Sequence, residues 1–147
     1  MKNLKIWSLI ALFAMALVGC SGDDDTNGTD IYGKWQLTSV SGCTPEFNVY
    51  VEFTNDGTFN LYQQVWTLTY EHYTGNFTIN GNVVSGTYSD GSAWIGSYNF
   101  STTNSKLKLI NTANSDEVNV YTACKIPREV IDEATTATRS EDVVPFL

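Results

Sequence analysis

Short segments that alternate between apolar and polar residues recur from Ile31 to Ile126, and this pattern limits the fold more than any other feature of the chain. A period of two is typical of half-buried β-strands, whereas an amphipathic helix has a period of 3.6. No helix-length periodic segment lies inside this region, so a parallel sheet with helical crossovers is excluded. We predict eight strands, at Ile31–Ser41, Asn48–Thr54, Thr58–Val65, Leu68–Ile79, Val83–Ser89, Ala93–Ser101, Lys106–Asn111 and Glu117–Lys125.

Glycine-containing turns separate several of these strands. Residues 55–57 (Asn-Asp-Gly), 80–82 (Asn-Gly-Asn) and 90–92 (Asp-Gly-Ser) supply the positive φ angles that tight hairpins require. Because every connection after Asn48 is short, consecutive strands are expected to be antiparallel neighbours. Eight such strands leave two open edges unless the sheet closes or splits, and sequential hairpins favour closure. We therefore predict an all-β fold, an eight-stranded antiparallel up-and-down barrel over residues 31–126.

The C-terminal part, residues 127–147, has a different pattern. Pro127 can begin a helix, and four apolar residues from 130 to 137 fall on one helical stripe. We predict a short helix over residues 128–138. The final segment, Val143–Leu147, is too apolar to lie in water and is expected to dock on the domain or on a partner.

The chain begins like a secreted protein. Lys2 and Lys5 precede an apolar run of 13 residues that ends at Val18, which is typical of a secretory signal and shorter than the ~20 residues of a membrane-spanning helix. Residues 17–20, Leu-Val-Gly-Cys, resemble the lipobox of bacterial lipoproteins. The resemblance implies that residues 1–19 are removed and that Cys20 is acylated, for example with palmitate. An ordinary signal peptide and a single membrane span are the alternatives.

Residues 20–30 are predicted to be a lipidated cysteine followed by an acidic tether. The run Asp23–Asp25 resembles the acidic motif that routes lipoproteins of Bacteroidetes to the outer face of the outer membrane. That resemblance implies a lipid-anchored protein at the cell surface, held to the membrane through Cys20. As a solvated linker the same run implies no routing, so the periplasmic face stays open as an alternative.

The charge of the chain excludes one class of partner. The whole sequence carries 16 acidic and 8 basic side chains, and two of the basic ones, Lys2 and Lys5, belong to the signal segment. The remaining part therefore has a formal charge of −10 at neutral pH. Nucleic-acid binding requires a basic stripe that neutralises phosphates, and this sequence contains none.

The first predicted strand carries the motif Gly33-Lys34-Trp35. It resembles the Gly-x-Trp signature of lipocalins, and residues 31–147 as a whole resemble the small lipocalin-like (calycin-like) domains of Bacteroidetes outer-membrane lipoproteins. The resemblance implies that Gly33 and Trp35 close one end of the barrel. It also implies that a basic residue after the last strand, Lys125 or Arg128, packs across the indole.

Strand parity assigns side chains to the two faces of the barrel wall, because successive residues point in opposite directions. The fourth strand breaks the alternation, and Gly75 is expected to be a bulge that switches its faces. The residues expected inside are Trp35, Leu37, Val49, Val51, Phe53, Phe59, Leu61, Val65, Phe77, Ile79, Trp94, Tyr98, Phe100, Leu107, Leu109, Val118 and Val120. Those expected outside are Lys34, Gln36, Tyr50, Glu52, Tyr62, Lys106, Lys108, Asn119 and Tyr121.

Cys43 and Cys124 are predicted to be free thiols. In an up-and-down barrel the eighth strand pairs antiparallel with the first, so Cys124 lies near the start of the first strand and Cys43 beyond its other end. About eight residues at ~3.3 Å each separate them by over ~25 Å, whereas a disulfide requires Cα atoms within ~7 Å.

The sequence gives little support for catalysis. His72 is the single histidine, it lacks partners at metal-ligand spacing, and Glu46, Glu52 and Glu71 do not form a recognisable carboxylate pair. We therefore expect no enzyme activity, no catalytic residues, no metal and no cofactor.

Ligand binding is the favoured class of function. An eight-stranded barrel either fills with its own side chains or holds one small molecule, and both outcomes remain open. Phe59, Phe77, Trp94 and Tyr98 are the predicted ligand-binding residues, for a small apolar or amphipathic molecule at the open end. Gln63, Gly86 and Gly96 would add a polar group and space to that cavity.

The alternative function is a filled barrel that acts as a protein–protein interaction module with an envelope protein as partner. Its predicted contacts are Tyr50, Tyr62, Tyr121 and the tail Val143–Leu147, because aromatic residues are enriched at interfaces.

Overall fold

The structure is a computed structural model that describes residues 30–138 and 144–147. The signal segment, Cys20, most of the tether and Val143 lie outside the described residues. Within the described ranges, the strands are β1 (Gly33–Val40), β2 (Asn48–Phe53), β3 (Thr58–Gln64), β4 (Glu71–Asn80), β5 (Val83–Tyr88), β6 (Tyr98–Thr103), β7 (Lys106–Asn111), β8 (Val118–Ala123) and β9 (Thr135–Thr136), and the helix is α1 (Arg128–Glu133).

Strands β1 to β8 form one closed barrel. Each strand pairs antiparallel with the next along the chain, and β8 returns to pair with β1, where Leu37 lies opposite Tyr121. The short strand β9 adds in parallel to the beginning of β4, at Glu71 and His72. The prediction of an eight-stranded antiparallel up-and-down barrel is confirmed.

The two ends of the barrel differ in the length of their connections. At the lower end, where β1 begins, the three hairpins are short and comprise residues 54–57, 81–82 and 104–105. At the upper end, where β1 ends, the four connections are six to nine residues long and comprise residues 41–47, 65–70, 89–97 and 112–117. The upper end is therefore the mouth of the barrel.

Two strands begin three or more residues later than the sequence pattern predicts. Residues 65–70 form a loop, so β4 begins at Glu71 and not at Leu68. After β5 the chain turns back on itself, with hydrogen bonds from Tyr88 N to Ser92 O (2.7 Å) and from Trp94 N to Gly86 O (2.9 Å). The segment from Ala93 to Ser97 is thus a return loop along β5, and β6 begins at Tyr98.

The predicted faces of β8 are wrong. Asn119 and Tyr121 are buried inside the barrel, whereas Val118 and Val120 are only partly buried. Directly opposed residues of an antiparallel pair share a face, and Tyr121 lies opposite the inward residues Leu37 and Leu107. Pairing with these neighbours, together with a bulge in β1 between Leu37 and Ser39, turns Tyr121 and Asn119 inward. The two valines therefore face outward although they are more hydrophobic.

The predicted bulge at Gly75 is also wrong. β4 keeps one register against β3 across this position, with Tyr73 opposite Leu61 and Gly75 opposite Phe59. Gly75 is required instead because the main chain of β5 comes very close: a Cβ atom there would lie 2.1 Å from the Thr87 carbonyl oxygen. A strand glycine of this kind marks a close approach at a bend of the barrel wall.

Helix α1 packs on the outside of the barrel. Its Val130, together with Ile126, covers Tyr50 and Tyr62 on the outer face of β2 and β3. The helix ends at Glu133, short of the predicted 138, because Thr135 and Thr136 pair with β4. No helix of the described residues is long and apolar enough to span a membrane.

Both cysteines of the described chain are free thiols, as predicted. Cys43 is exposed beyond the upper end of β1, and the Cys124 N–H donates to the Lys34 carbonyl oxygen near the lower end (3.0 Å).

Candidate functional site

The Gly-x-Trp motif closes the lower end of the barrel. The indole Nε1 of Trp35 donates to the Ile31 carbonyl oxygen (2.9 Å), and both side chains are buried. Gly33 has φ of +137°, a conformation that L side chains rarely adopt, and this bend lies between the indole and the carbonyl it binds. The expected basic cover is absent among the described residues, since Lys125 is exposed and Arg128 pairs with Asp132 (3.9 Å) at 91% side-chain exposure.

The four predicted ligand-binding residues lie in one buried aromatic cluster. Ring centroids are 5.2 Å apart for Phe59 and Trp94, and 6.4 Å apart for Trp94 and Tyr98. Phe77 joins through Phe53, which lies 5.1 Å from Phe77 and 6.1 Å from Trp94. The structure brings all four together, but Phe77 lies at the lower end and not at the open end, since its N–H donates to the Gly57 carbonyl oxygen of the lower hairpin (2.8 Å). Their role in ligand binding stays a prediction.

Gly86 leaves space for an indole, not for a ligand. A Cβ atom at Gly86 would lie 2.2 Å from Cε2 of Trp94. The hydrogen bond between Trp94 N and Gly86 O fixes the return loop so that the indole lies over the glycine. This part of the barrel is therefore filled by the chain's own side chain.

Sequence reasoning missed a set of polar side chains inside the barrel. Among the described residues, four buried polar atoms have no hydrogen-bond partner: Tyr73 OH, Tyr121 OH, Trp94 Nε1 and Asn119 Oδ1. A buried polar group without a partner costs about 1–3 kcal/mol, so native structures rarely retain several of them without a reason. Correct pairing of β8 with β7 would have found two of them, because Tyr121 and Asn119 lie opposite the inward residues Leu107 and Leu109.

The interior phenols are hydrogen-bond donors at neutral pH. Burial, with a smaller contribution from Glu71, raises the pKa of Tyr73 to about 12. Burial, with a smaller contribution from Glu117, raises the pKa of Tyr98 to about 12. Burial also raises the pKa of Tyr121 well above its usual value, and the neighbouring phenols Tyr98 and Tyr88 add to that increase.

Gln63 and Glu71 form a buried polar pair at the mouth. Gln63 was predicted to face inward, and it is fully buried (0% exposed). Its Nε2 donates to Oε2 of Glu71 (3.1 Å), which leaves the second N–H and the Oε1 atom for other partners.

The end of the described chain lies in this mouth. Leu147 is fully buried (0% exposed) within the same core cluster as Phe59, Tyr73 and Tyr88. Of the two predicted docking places for the apolar tail, the domain and a partner, residues 144–147 occupy the domain. That it enters the barrel was not predicted, because hydrophobicity alone does not identify the surface that buries a segment.

A depression of about 320 Å³ lies beside the tail, where β1 and β2 separate above Gln36. Phe47 is part of its lining, and the Phe47 ring lies 5.8 Å from the ring of Phe146. A larger groove of about 410 Å³ lies on the outer face of β6 to β8, between Lys106, Lys108 and Val120, and does not reach the interior.

His72 is a structural residue on the outer face. Its imidazole stacks on Tyr62 (centroids 4.4 Å apart) and its Nε2 lies 2.9 Å from Asn60 Oδ1. No group of three His, Cys, Asp or Glu side chains that could hold a metal occurs among the described residues.

We expect His72 to make stability depend on pH. Burial lowers its pKa below 6.5, so the unfolded chain takes up a proton first as the pH falls. The free energy of unfolding should therefore decrease from pH 7.5 to pH 5.5. His72→Gln should have a shallower slope over that range, measured by urea unfolding at each pH, whereas an unchanged slope would contradict this assignment.

The closed barrel, its Gly-x-Trp end and its open mouth define a protein of the lipocalin type. Residues 31–109, more than half of the chain, match the family model of the lipocalin-like domain, and the chain therefore belongs to that family. No curated protein matches the sequence. Lipocalin-like proteins are generally non-enzymatic binding proteins, so the fold indicates a ligand-binding or carrier role.

Proposed function

We infer that this protein is a non-catalytic binding protein that holds one small amphipathic molecule in the upper half of its barrel. The observation that carries the proposal is the set of buried, unpartnered polar atoms of Tyr73, Trp94, Asn119 and Tyr121. They lie next to an apolar aromatic cluster, and a few polar groups among apolar walls are typical of small-molecule sites.

The place of action belongs to the same proposal. The lipobox at Cys20 and the acidic run Asp23–Asp25 support a lipid-anchored protein of the outer membrane that is exposed at the cell surface. There the barrel would store, deliver or scavenge its ligand.

Native mass spectrometry of the protein, purified gently from its own envelope, tests the binding function. We expect a stoichiometric additional mass that disappears on denaturation and identifies the ligand. A clean mass of the protein alone, with none of a panel of amphipathic molecules bound, would contradict the proposal.

Removing the Tyr121 hydroxyl should weaken ligand binding but increase the stability of the protein. Tyr121→Phe deletes an unpartnered buried group, so the free energy of unfolding should rise by about 1 kcal/mol. The same change should weaken ligand binding about tenfold, because the ligand loses one donor. Tyr50→Phe is the matched control, since its ring lies outside the barrel below α1 and should leave binding unchanged. Equal affinity of the parent and Tyr121→Phe would show that this hydroxyl does not contact the ligand.

The alternative, an interaction module, loses the contacts first predicted for it. Tyr50 and Tyr62 are buried below α1, and Tyr121 is inside the barrel. The observation that still favours it is the loop at 65–70, where Trp66 is 61% exposed and Leu68 is 94% exposed. A crosslinking pull-down that loses no envelope protein with Leu68→Ser would argue against this alternative.

A further inference from the structure

The segment Val144–Leu147 is bound at the mouth mainly through its main chain. Gln63 donates from Nε2 to the Val144 carbonyl oxygen (3.1 Å) and accepts at Oε1 from the Phe146 N–H (2.8 Å). In a parallel ladder one residue bonds in this way to the two residues that flank its partner. The side-chain amide of Gln63 thus makes the two hydrogen bonds that one residue of a neighbouring strand would make. Pro145 lies between the two bonded residues and has no N–H that needs a partner. Extended peptide ligands are held by the same kind of contact.

Two further donors hold the segment. Trp66 Nε1 donates to the Val144 carbonyl oxygen (3.0 Å), and the Tyr88 hydroxyl donates to the Leu147 oxygen (2.6 Å). The Leu147 side chain extends into the core. The Phe146 ring packs on Phe47, which lines the depression between β1 and β2. The segment therefore presents one apolar group to the interior and one oxygen atom to a buried phenol.

The barrel wall is complete without this segment. β8 pairs with β1, so strands β1 to β8 close the barrel without any residue of the tail. Residues 144–147 are thus an addition that fills the mouth of a closed barrel. A ligand that accepts from the Tyr88 hydroxyl must displace Leu147, because the Leu147 oxygen already accepts that hydrogen bond (2.6 Å), and the Tyr73 ring lies 5.8 Å from the Tyr88 ring.

We propose that Val144–Leu147 occupies the ligand site of its own barrel, and that an uncharged amphiphile with a hydrogen-bond acceptor, such as an amide or an ester, displaces it. This proposal rests on the binding function proposed above and names the ligand class. Such a ligand would place its acceptor on the Tyr88 hydroxyl and its apolar body in the position of Leu147.

The charge of the mouth favours an uncharged ligand over an anion. Glu71 is buried beside Gln63, and its charge acts on the Tyr73 hydroxyl, as does that of Asp90. Asp90 is exposed, whereas Glu71 is buried, so a ligand carboxylate would meet the charge of Glu71 at low dielectric constant. An amide or ester oxygen accepts the same hydrogen bonds without this repulsion.

Amide hydrogen exchange of the full chain tests the displacement without any mutation. The Phe146 N–H is bonded to Gln63, so it should exchange slowly in the protein alone. Saturating N-methyldecanamide should increase its exchange rate at least tenfold, while amides of β1 and β8 keep their protection. Binding of the amide with unchanged or slower exchange at Phe146 would overturn the displacement and leave the binding function standing.

Affinity measurements test the same site from the ligand side. If the tail competes, the double variant Phe146→Ser/Leu147→Ser should bind N-methyldecanamide about tenfold more tightly than the parent, because the binding-competent fraction increases. Leu68→Ser, at an exposed position of the 65–70 loop, is the control and should have the parent's affinity.

Decanoate, with the same chain length, is the matched ligand and should bind about tenfold more weakly than the amide at pH 7.5. Equal or tighter binding of decanoate would overturn the preference for an uncharged head. Failure of both the parent and the double variant to bind the amide would overturn the ligand class, while native mass spectrometry of the envelope-derived protein decides the binding function separately.

Discussion

Replacing Gly75 with alanine is expected to lower the free energy of unfolding by about 3 kcal/mol or more. The new methyl group would lie 2.1 Å from the Thr87 carbonyl oxygen and 2.8 Å from Tyr88 Cα. Both are main-chain atoms of β5, so the clash is relieved only if the pairing of β4 with β5 opens. Urea unfolding of both proteins, followed by tryptophan fluorescence, measures the difference.

Gly96→Ala is the matched control for this prediction. Its methyl group would first meet Nδ2 of Asn111, a side-chain atom, at 3.3 Å. A shift of that amide by a few tenths of an ångström relieves the contact, so the expected loss is below about 1 kcal/mol. Similar losses for the two variants would mean that Gly75 acts through the general flexibility of glycine and not through the approach of β5.

Gln63→Leu is expected to lower the free energy of unfolding by about 3 kcal/mol, although leucine has a similar volume. The substitution removes the buried amide that bonds Glu71, Val144 and Phe146. Glu71 then keeps its carboxylate in the mouth without this donor, and the tail loses two of its main-chain contacts. Denaturant unfolding measures the loss of free energy of unfolding. Faster amide exchange at Phe146 would show that the tail is released.

Gln64→Leu is the control one residue along the chain. Gln64 points outward, and its Nε2 donates to the Leu68 carbonyl oxygen within the exposed loop (2.5 Å). We expect a change within about 0.5 kcal/mol and no effect on Phe146 exchange. Equal destabilisation by the two variants would contradict the special role assigned to Gln63.

Much of the barrel could be predicted because its signals are local. Period-two alternation and Gly-containing turns report the geometry of a few neighbouring residues, which is why the eight strands and their order are correct. The same reasoning failed where pairing with strands distant in sequence decides which side chains face inward. On β8 the two valines suggested one face, but pairing with Leu37 and Leu107 turned Tyr121 inward.

The inward positions of the aromatic side chains and of Gln63 were predicted, whereas several interior polar groups were missed. Parity on single strands correctly placed Phe59, Phe77 and Tyr98 inside the barrel. Trp94 is also inside, but it lies in the return loop and its position is fixed by the hydrogen bond to Gly86 O. Tyr73, which binds no partner through its hydroxyl among the described residues, was left unassigned because β4 was expected to change faces at Gly75. The glycine at position 75 is required because the main chain of β5 comes very close to it. Sequence spacing does not reveal this approach, so Gly75 was interpreted as a bulge.

By itself the sequence determined the eight strands of the barrel, their hairpin order, the closure and the free thiols, since these follow from local periodicity, turn chemistry and strand length. It also determined that the last residues avoid water. Only the tertiary structure decided where those residues go: into the mouth, against Gln63, Trp66 and Tyr88. Hydrophobic burial has no direction, so the choice of surface depends on hydrogen-bond partners that come together only when the barrel has closed.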